Sequence, residues 1–302
     1  MNTRTKGIIA GLIANATFGL SVVWTKQALI TYGPITSSLG RVIVALIAML
    51  IYGLSSRELQ KIKKKDFWTF VLGGVFMPFL FYILIYEGIE FIDAILAGIL
   101  FATLPLFSPL AGYLFFREKF KNLFFIGMII SFLGVVVSIT SGNFHIVASP
   151  IGIILMILGV ISYVSYSVVI KRLSDNYTGT TVIFYTSLIG VILLLPVFYF
   201  VEFPKFIHIQ PYLPSIMAIV YMGVLSSFAG FVLYAYSLKT LGTAKGMMFF
   251  NLVPIFAAIG AVIILGDKFT THKTIGLIMV VIGLYLTMVK IQKKKKIPHS
   301  KS

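Results

Sequence analysis

The chain contains no cysteine, nine acidic residues against twenty-five basic ones, and only 11% charged residues in all. Without cysteine there are no disulfides and no thiol chemistry, and nothing follows about redox compartment. Soluble domains carry roughly 25% charged residues, so this chain cannot cover 302 residues with a water-facing surface. The four histidines (His145, His208, His272 and His299) fall in expected loops or the tail, without metal-ligand spacing, and no metal or cofactor is expected. HExxH, GxSxG and P-loop patterns are absent. An enzyme would need a nucleophile, converging acid and base groups or a metal, so that class is disfavoured.

What is present is apolar sequence, 59% of the chain. It comes in runs of about twenty residues, the length that crosses a hydrocarbon core roughly 30 Å thick as helix. Backbone polar groups in lipid must bond within their own segment, and the alternation of a membrane barrel is missing. The expected fold class is all-α, a polytopic membrane protein. Ten segments can be cut, near 7–30, 36–55, 67–89, 93–116, 122–140, 151–170, 180–201, 213–238, 243–265 and 273–290. Turn chemistry separates several of them, as at Gly33-Pro34, Ser149-Pro150, Pro204, Pro211 and Pro214.

The net charge of +16 does not indicate nucleic acid, because the charges sit in short loops and in the tail beside apolar segments. With the N-terminus inside, cytoplasmic loops and ends hold twenty Lys and Arg. The outer loops hold four (Lys26, Lys205, Lys268 and Lys273), and Arg41 lies within a segment. The positive-inside rule therefore puts both termini in the cytoplasm of a bacterial or archaeal cell, with the protein in its plasma membrane. Arg4, Lys6 and Ala14-Asn15-Ala16 have the look of a signal peptide, but the apolar run continues through Trp24 and is repeated later, so no cleavage is expected. Asn176-Tyr177-Thr178 is a glycosylation sequon by letter alone, expected on the wrong side for use.

Residues 105–134 read again at 254–283. Pro105 answers Pro254, Phe107 answers Phe256, Lys119-Phe120 answers Lys268-Phe269, and Gly127 and Gly134 answer Gly276 and Gly283. Gly7-Ile8-Ile9 likewise answers Gly152-Ile153-Ile154. Residues 1–140 and 141–290 are thus expected to be two copies of a five-helix unit, with 291–302 a basic cytoplasmic tail. Five is odd, so the second copy enters the membrane from the opposite side.

Ten helices in a 5+5 repeat resemble the EamA family of the drug/metabolite transporter superfamily. The resemblance rests on Leu104-Pro105, Arg117-Glu118-Lys119-Phe120, Gly127 and Gly134 in the first copy. In the second it rests on Val253-Pro254, Gly266-Asp267-Lys268-Phe269, Gly276 and Gly283. The family usually has glycine–glutamate at the turn, and both copies here depart mildly from that. Arg41 stands where the first repeat commonly has an arginine. The resemblance implies a carrier that moves small metabolites such as amino acids, usually outward, without naming the solute.

Candidate substrate-binding residues follow from polar groups inside apolar helices. Arg41 offers a guanidinium fork for a carboxylate; snorkelling, or pairing with Glu87, Glu90 or Asp93, fits the sequence equally. Thr17, Ser21 and Thr25 form one stripe on helix 1, and Ser162 and Tyr166 answer the first two in helix 6, with Tyr163 beside them. They are cavity walls or interhelical hydrogen-bonding groups. Trp24, Tyr82, Tyr86, Tyr163, Tyr166 and Tyr234 are candidates for an aromatic lining. Asn15 and Asn251 are polar amides within helices 1 and 9 that need partners, and Asn251 stands three residues before Pro254. Glu87 is the candidate for a coupling proton, while Asp93 reads more plainly as the N-cap of helix 4. Glu118 and Asp267 are expected to order helix ends.

The function expected from this reading is secondary transport by alternating access, with export of a small metabolite. The expected partners are that solute, the lipid bilayer and a candidate coupling proton. A non-transporting scaffold or sensor is the alternative, and a channel is disfavoured by the inverted repeat.

Overall fold

The computed structural model of the chain describes residues 2–101, 103–104, 107, 122–140, 148–173, 176–241 and 249–288. Among these residues the backbone is helical, with no strand. In chain order the helices are α1 (Thr3–Leu29), α2 (Pro34–Ser56), α3 (Lys64–Glu90), α4 (Ala94–Phe101) and α5 (Asn122–Ile139). They continue as α6 (Pro150–Leu173), α7 (Gly179–Phe206), α8 (Leu213–Leu241), α9 (Phe249–Leu265) and α10 (Thr271–Met288). Seven of them, α1–α3 and α5–α8, are long and apolar enough to cross a membrane, and α9 and α10 are shorter apolar helices. Pro105, Arg117, Glu118, Lys119, His145, Lys245 and the tail lie outside the described residues.

Local chemistry sets the ends. Pro34 occupies the first turn of α2, where a missing N–H is harmless. Arg57 closes that helix in the left-handed region at φ 56°, and Gly266 ends α9 at φ 70°. Asp93 caps α4 by accepting from the Leu96 N–H at 2.9 Å, as its sequence position suggested.

Two expectations are corrected, for α7 and His272, and α3 carries a break that sequence reasoning did not address. Helix α7 continues past 201 through Glu202 and Pro204 to Phe206, because Pro204 falls in the first turn of the final helical segment. Helix α3 is not one uninterrupted rod: Met77 is extended (φ −148°, ψ 124°) and precedes Pro78. The Ser162 hydroxyl of α6 donates to the Phe76 carbonyl at 2.7 Å, supplying a partner at the break. His272, expected in a loop, lies in the first turn of α10.

Helix packing uses small residues. The matched glycines of α5 and α10 meet crosswise: a Cβ on Gly127 would lie 2.5 Å from the Gly283 carbonyl oxygen, and one on Gly134 would lie 2.7 Å from that of Gly276. Such close approach maximises dispersion contact where lipid gives no hydrophobic drive to association. Ser131 donates across the same seam to the Val280 carbonyl at 3.2 Å. Elsewhere α1 packs on α8 and α9, α6 on α3, and α2 on α7 and α8. Large apolar side chains such as Ile51, Trp68, Phe132, Phe200 and Ile263 point outward, as a lipid-facing perimeter requires. One face of the molecule carries the α1–α2 turn at Gly33 and the other carries the α2–α3 connection at Arg57; these are the Gly33 face and the Arg57 face.

Gly127→Ala is expected to force α5 and α10 apart and to lower the melting temperature in detergent, by an overpacking cost of about 1–3 kcal/mol. Gly179→Ala, where an added Cβ meets nothing within 4 Å, should leave melting unchanged or raise it slightly. Equal melting of both variants would refute the close-packed seam.

Candidate functional site

Arg41 lies two turns into α2, roughly 10 Å from its Gly33 end at 1.5 Å per residue. Its side chain turns inward and is only 7% exposed. Opposite it, Met222–Gly230 of α8 winds as a wide π-type helix, and the adjacent Ser226 and Ser227 both reach the guanidinium. Arg41 Nε donates to Ser227 Oγ at 2.8 Å and Nη2 to Ser226 Oγ at 3.4 Å. The guanidinium carbon stands 4.7 Å from the centre of the Tyr82 ring, a cation–π distance. The hydroxyls of Tyr86 and Thr25 both donate to Met222 Sδ, at 3.3 and 3.2 Å, which fixes the sulfur beside Nη1. Among the described residues no carboxylate lies within ion-pair distance of Arg41, so the expected alternative of pairing with Glu87, Glu90 or Asp93 is not realised. Hydroxyls, a thioether and a ring face leave part of its five-donor fork unused.

The guanidinium lines a chamber of about 100 Å³ with Ser21, Thr25, Tyr82, Tyr86, Tyr163 and Tyr234. A second chamber of about 190 Å³ continues toward the Arg57 face between α2, α6 and α7, past Tyr166, Ser167, Thr186 and Ser187. The two share Met77, Tyr82, Tyr163 and Phe231, so the break in α3 forms part of both walls. Tyr166 and Thr186 join hydroxyls at 3.4 Å, and Tyr82 and Ser227 at 3.5 Å. The interior therefore combines one cation, several phenols and hydroxyls, and apolar surface. Such a lining suits a small solute with one anionic end.

Of the residues singled out by sequence, Ser21, Thr25, Arg41, Tyr82, Tyr86, Tyr163, Tyr166 and Tyr234 come together here. Others do not line the chambers. Thr17 bonds the Ala14 carbonyl and sits against Gly230, where α1 and α8 touch. Ser162 is spent on Phe76. Asn251 is buried just behind Phe250 and Val253, with no partner for its Oδ1 among the described residues. Glu87 is half-buried near the Gly33 face, away from both chambers. Trp24 packs at a tilt against Tyr221, ring centres 5.4 Å apart. Asn15 donates to the Gly11 carbonyl. Sequence reasoning passed over Ser226, Ser227, Thr186 and Met222. The serine pair and Thr186-Ser187 interrupt apolar runs, which was the available signal.

A separate vestibule of about 710 Å³ opens at the Gly33 face, lined by Lys26, Glu90, Asp93, Asp267, His272 and Lys273 among others. Asp93 and Lys273 form an ion pair at 2.8 Å, and Asp267 accepts from the Ala94 N–H at 3.1 Å.

A buried cation without a counter-charge costs stability, and its replacement by an apolar side chain of similar length is often neutral or stabilising. Arg41→Met is thus expected to melt no lower than the parent protein. A clear fall in melting temperature would make Arg41 a structural residue.

The EamA-like transporter family model matches residues 5–140 and again residues 150–289. The chain is 23% identical over 277 residues to the uncharacterized transporter YyaM of Bacillus subtilis, covering 90% of this chain and 89% of the relative. An uncharacterized transporter of Archaeoglobus fulgidus is 25% identical over 295 residues, covering 96% and 99%. A protein of Streptantibioticus cattleyicolor described as a probable terminal-alkyne amino-acid exporter is 26% identical over 265 residues, covering 87% and 86%. A solved crystal structure, 14% identical, superposes with a TM-score of 0.66 over 93% of this chain and 96% of that one, a likeness of fold. With both halves matched and seven described helices long and apolar enough to cross a bilayer, the chain belongs to the EamA-like transporter family of multi-pass membrane proteins.

Proposed function

We propose that the protein is a secondary transporter that exports a small carboxylate-bearing metabolite, an amino acid or a related compound, across the plasma membrane. In this reading ten helices form two inverted five-helix repeats, residues 1–140 and 141–290, that rock about a central site to give alternating access. Both termini are cytoplasmic, so the Gly33 face is outside and the Arg57 face inside. The observation that carries the reading is the buried Arg41 guanidinium, with no described carboxylate partner, facing a tyrosine-lined chamber between the halves. A carboxylate would complete that fork with charge-assisted hydrogen bonds. Ser226, Ser227 and Tyr82 hold the fork in place, and the remaining phenols contact the body of the solute. The exporter activity named for the Streptantibioticus relative supports an amino-acid-like solute and outward movement. Energy comes from a solute or proton gradient, with Glu87 the candidate proton carrier.

No described acidic side chain lines either chamber, so an ammonium group would meet only hydroxyls and ring faces. N-acetylated apolar amino acids are therefore expected to compete for transport better than the free amino acids. The test is counterflow of radiolabelled solutes in proteoliposomes, with and without a pH gradient. A charge-assisted hydrogen bond contributes about 1.5–3 kcal/mol, so Arg41→Met should lower carboxylate flux by about ten- to a hundredfold. Arg41→Lys should fall between, since an ammonium lacks the planar fork. Undiminished flux in Arg41→Met would overturn the assignment of Arg41, and absence of any saturable flux by folded protein would overturn the transporter reading.

A further inference from the structure

Two carboxylates outside the chambers hold the halves together, one at each face. At the Gly33 face, Glu202 at the end of α7 accepts from the Ile35 and Thr36 N–H groups at 3.0 and 2.7 Å, and from the Thr36 hydroxyl. The fit is tight, since a Cβ on Gly33 would collide with that carboxylate. At the Arg57 face, Glu58 just past α2 accepts from the Thr180 hydroxyl in the first turn of α7. Its carbonyl accepts from Thr178 and Thr181 at 2.9 and 3.0 Å. Thr180 follows Thr36 by 144 positions, and Glu202 follows Glu58 by the same 144. That spacing agrees with the two family matches, whose starts differ by 145 residues. The threonine hydroxyl–glutamate bond is therefore made twice, once at each face, while the backbone N–H groups are taken by Glu202 alone. Further bonds surround the Glu58 bond: Gln60 Oε1 accepts from the Thr178 N–H at 2.7 Å, and Tyr177 donates to Asp66 at 2.8 Å. Burial, with the Asp66 carboxylate beside it, raises the Tyr177 phenol above its ordinary range and keeps it a donor.

In a carrier built from inverted repeats, the opposite-facing state arises when the two copies exchange conformations. A contact whose mate is already made in the same state survives that exchange. A contact without a mate does not. The Asp93–Lys273 ion pair belongs to the second kind, because the equivalent windows 238–242 and 124–128 contain no acid and no base respectively.

We propose that α2 and α7 form a permanent brace, with Glu202 on Thr36 and Glu58 on Thr180 as its positioning residues, about which the rest of each half rocks. The one-sided Asp93–Lys273 pair is the contact that opens. Arg41 then rides on the fixed element, and the moving walls come to it. Tyr82 and Ser227, 145 positions apart and in contact beside Arg41, put the exchange axis through the site. This inference rests on the alternating-access reading above.

The chain's freedom from cysteine permits a direct test. Thr36→Cys with Glu202→Cys, Glu58→Cys with Thr180→Cys, and all four together are bridged by a short, reducible bis-methanethiosulfonate reagent, and Asp93→Cys with Lys273→Cys serves as contrast. Expected are both bridges in the same chain by peptide mapping, flux in the doubly bridged protein no lower than in its reduced form, and arrest by the Asp93–Lys273 bridge that reductant reverses. Bridges that never coexist in one chain, or arrest of flux by either brace bridge, would overturn the proposal. Peptide mapping decides even where the reduced variant transports poorly. Failure of the unsubstituted protein to transport would count against the transporter reading, and coexistence of the two bridges would then decide for or against the brace.

Discussion

Backbone groups that find no partner inside a hydrocarbon layer cost several kcal/mol each, and most of this architecture answers that constraint. Helices satisfy the demand within themselves, which is why the described chain has no strand. Where a helix is interrupted, another supplies what is missing. At the Met77 break the Ser162 hydroxyl reaches the Phe76 carbonyl, and at the start of α2 the Glu202 carboxylate takes two N–H groups that no preceding turn can use. Irregular backbone is tolerated at such depth where it borders a cavity rather than lipid, and Met77 lies in the wall of both chambers.

The same constraint gives Arg41 its meaning. A guanidinium in a low-dielectric interior is retained against a cost, and here that cost is only partly offset by two serines, the Tyr86 hydroxyl, a sulfur and a ring face. A structural ion pair would complete the fork. In the function proposed above, that shell is what a transported anion would complete and then leave, since a site that bound too fully would not release its solute.

Glycine acts at the seams rather than at the site. The α5–α10 contact brings two glycine pairs within touching distance of backbone carbonyls, while α1 presents Gly11 and Gly19 to α8 and α9. These contacts are dispersion-rich and indifferent to polarity, so they join helices without placing charge in lipid. Among the described residues, the carboxylate contacts between the halves lie at the two faces, where water screens their cost.

The sequence by itself determined the class, the apolar segments, the doubled unit and the oddness of Arg41, because each rests on composition or on spacing along one chain. It also carried eight of the chamber residues, since a polar group in an apolar run must find a purpose. Which purpose was a matter of three dimensions. Thr17 and Ser162 read as equivalents of lining residues, yet one sits where α1 meets α8 and the other mends a broken helix, because helix rotation and the partner's register are set by packing. Arg41 read equally as a snorkelling or paired side chain, and only the placement of Ser226 and Ser227 by the π-type winding of α8 settled its direction. Glu58 and Glu202 carried no signal at all. Each is an ordinary acid near a helix end in sequence, and their shared contact exists only because folding brings α2 and α7 side by side.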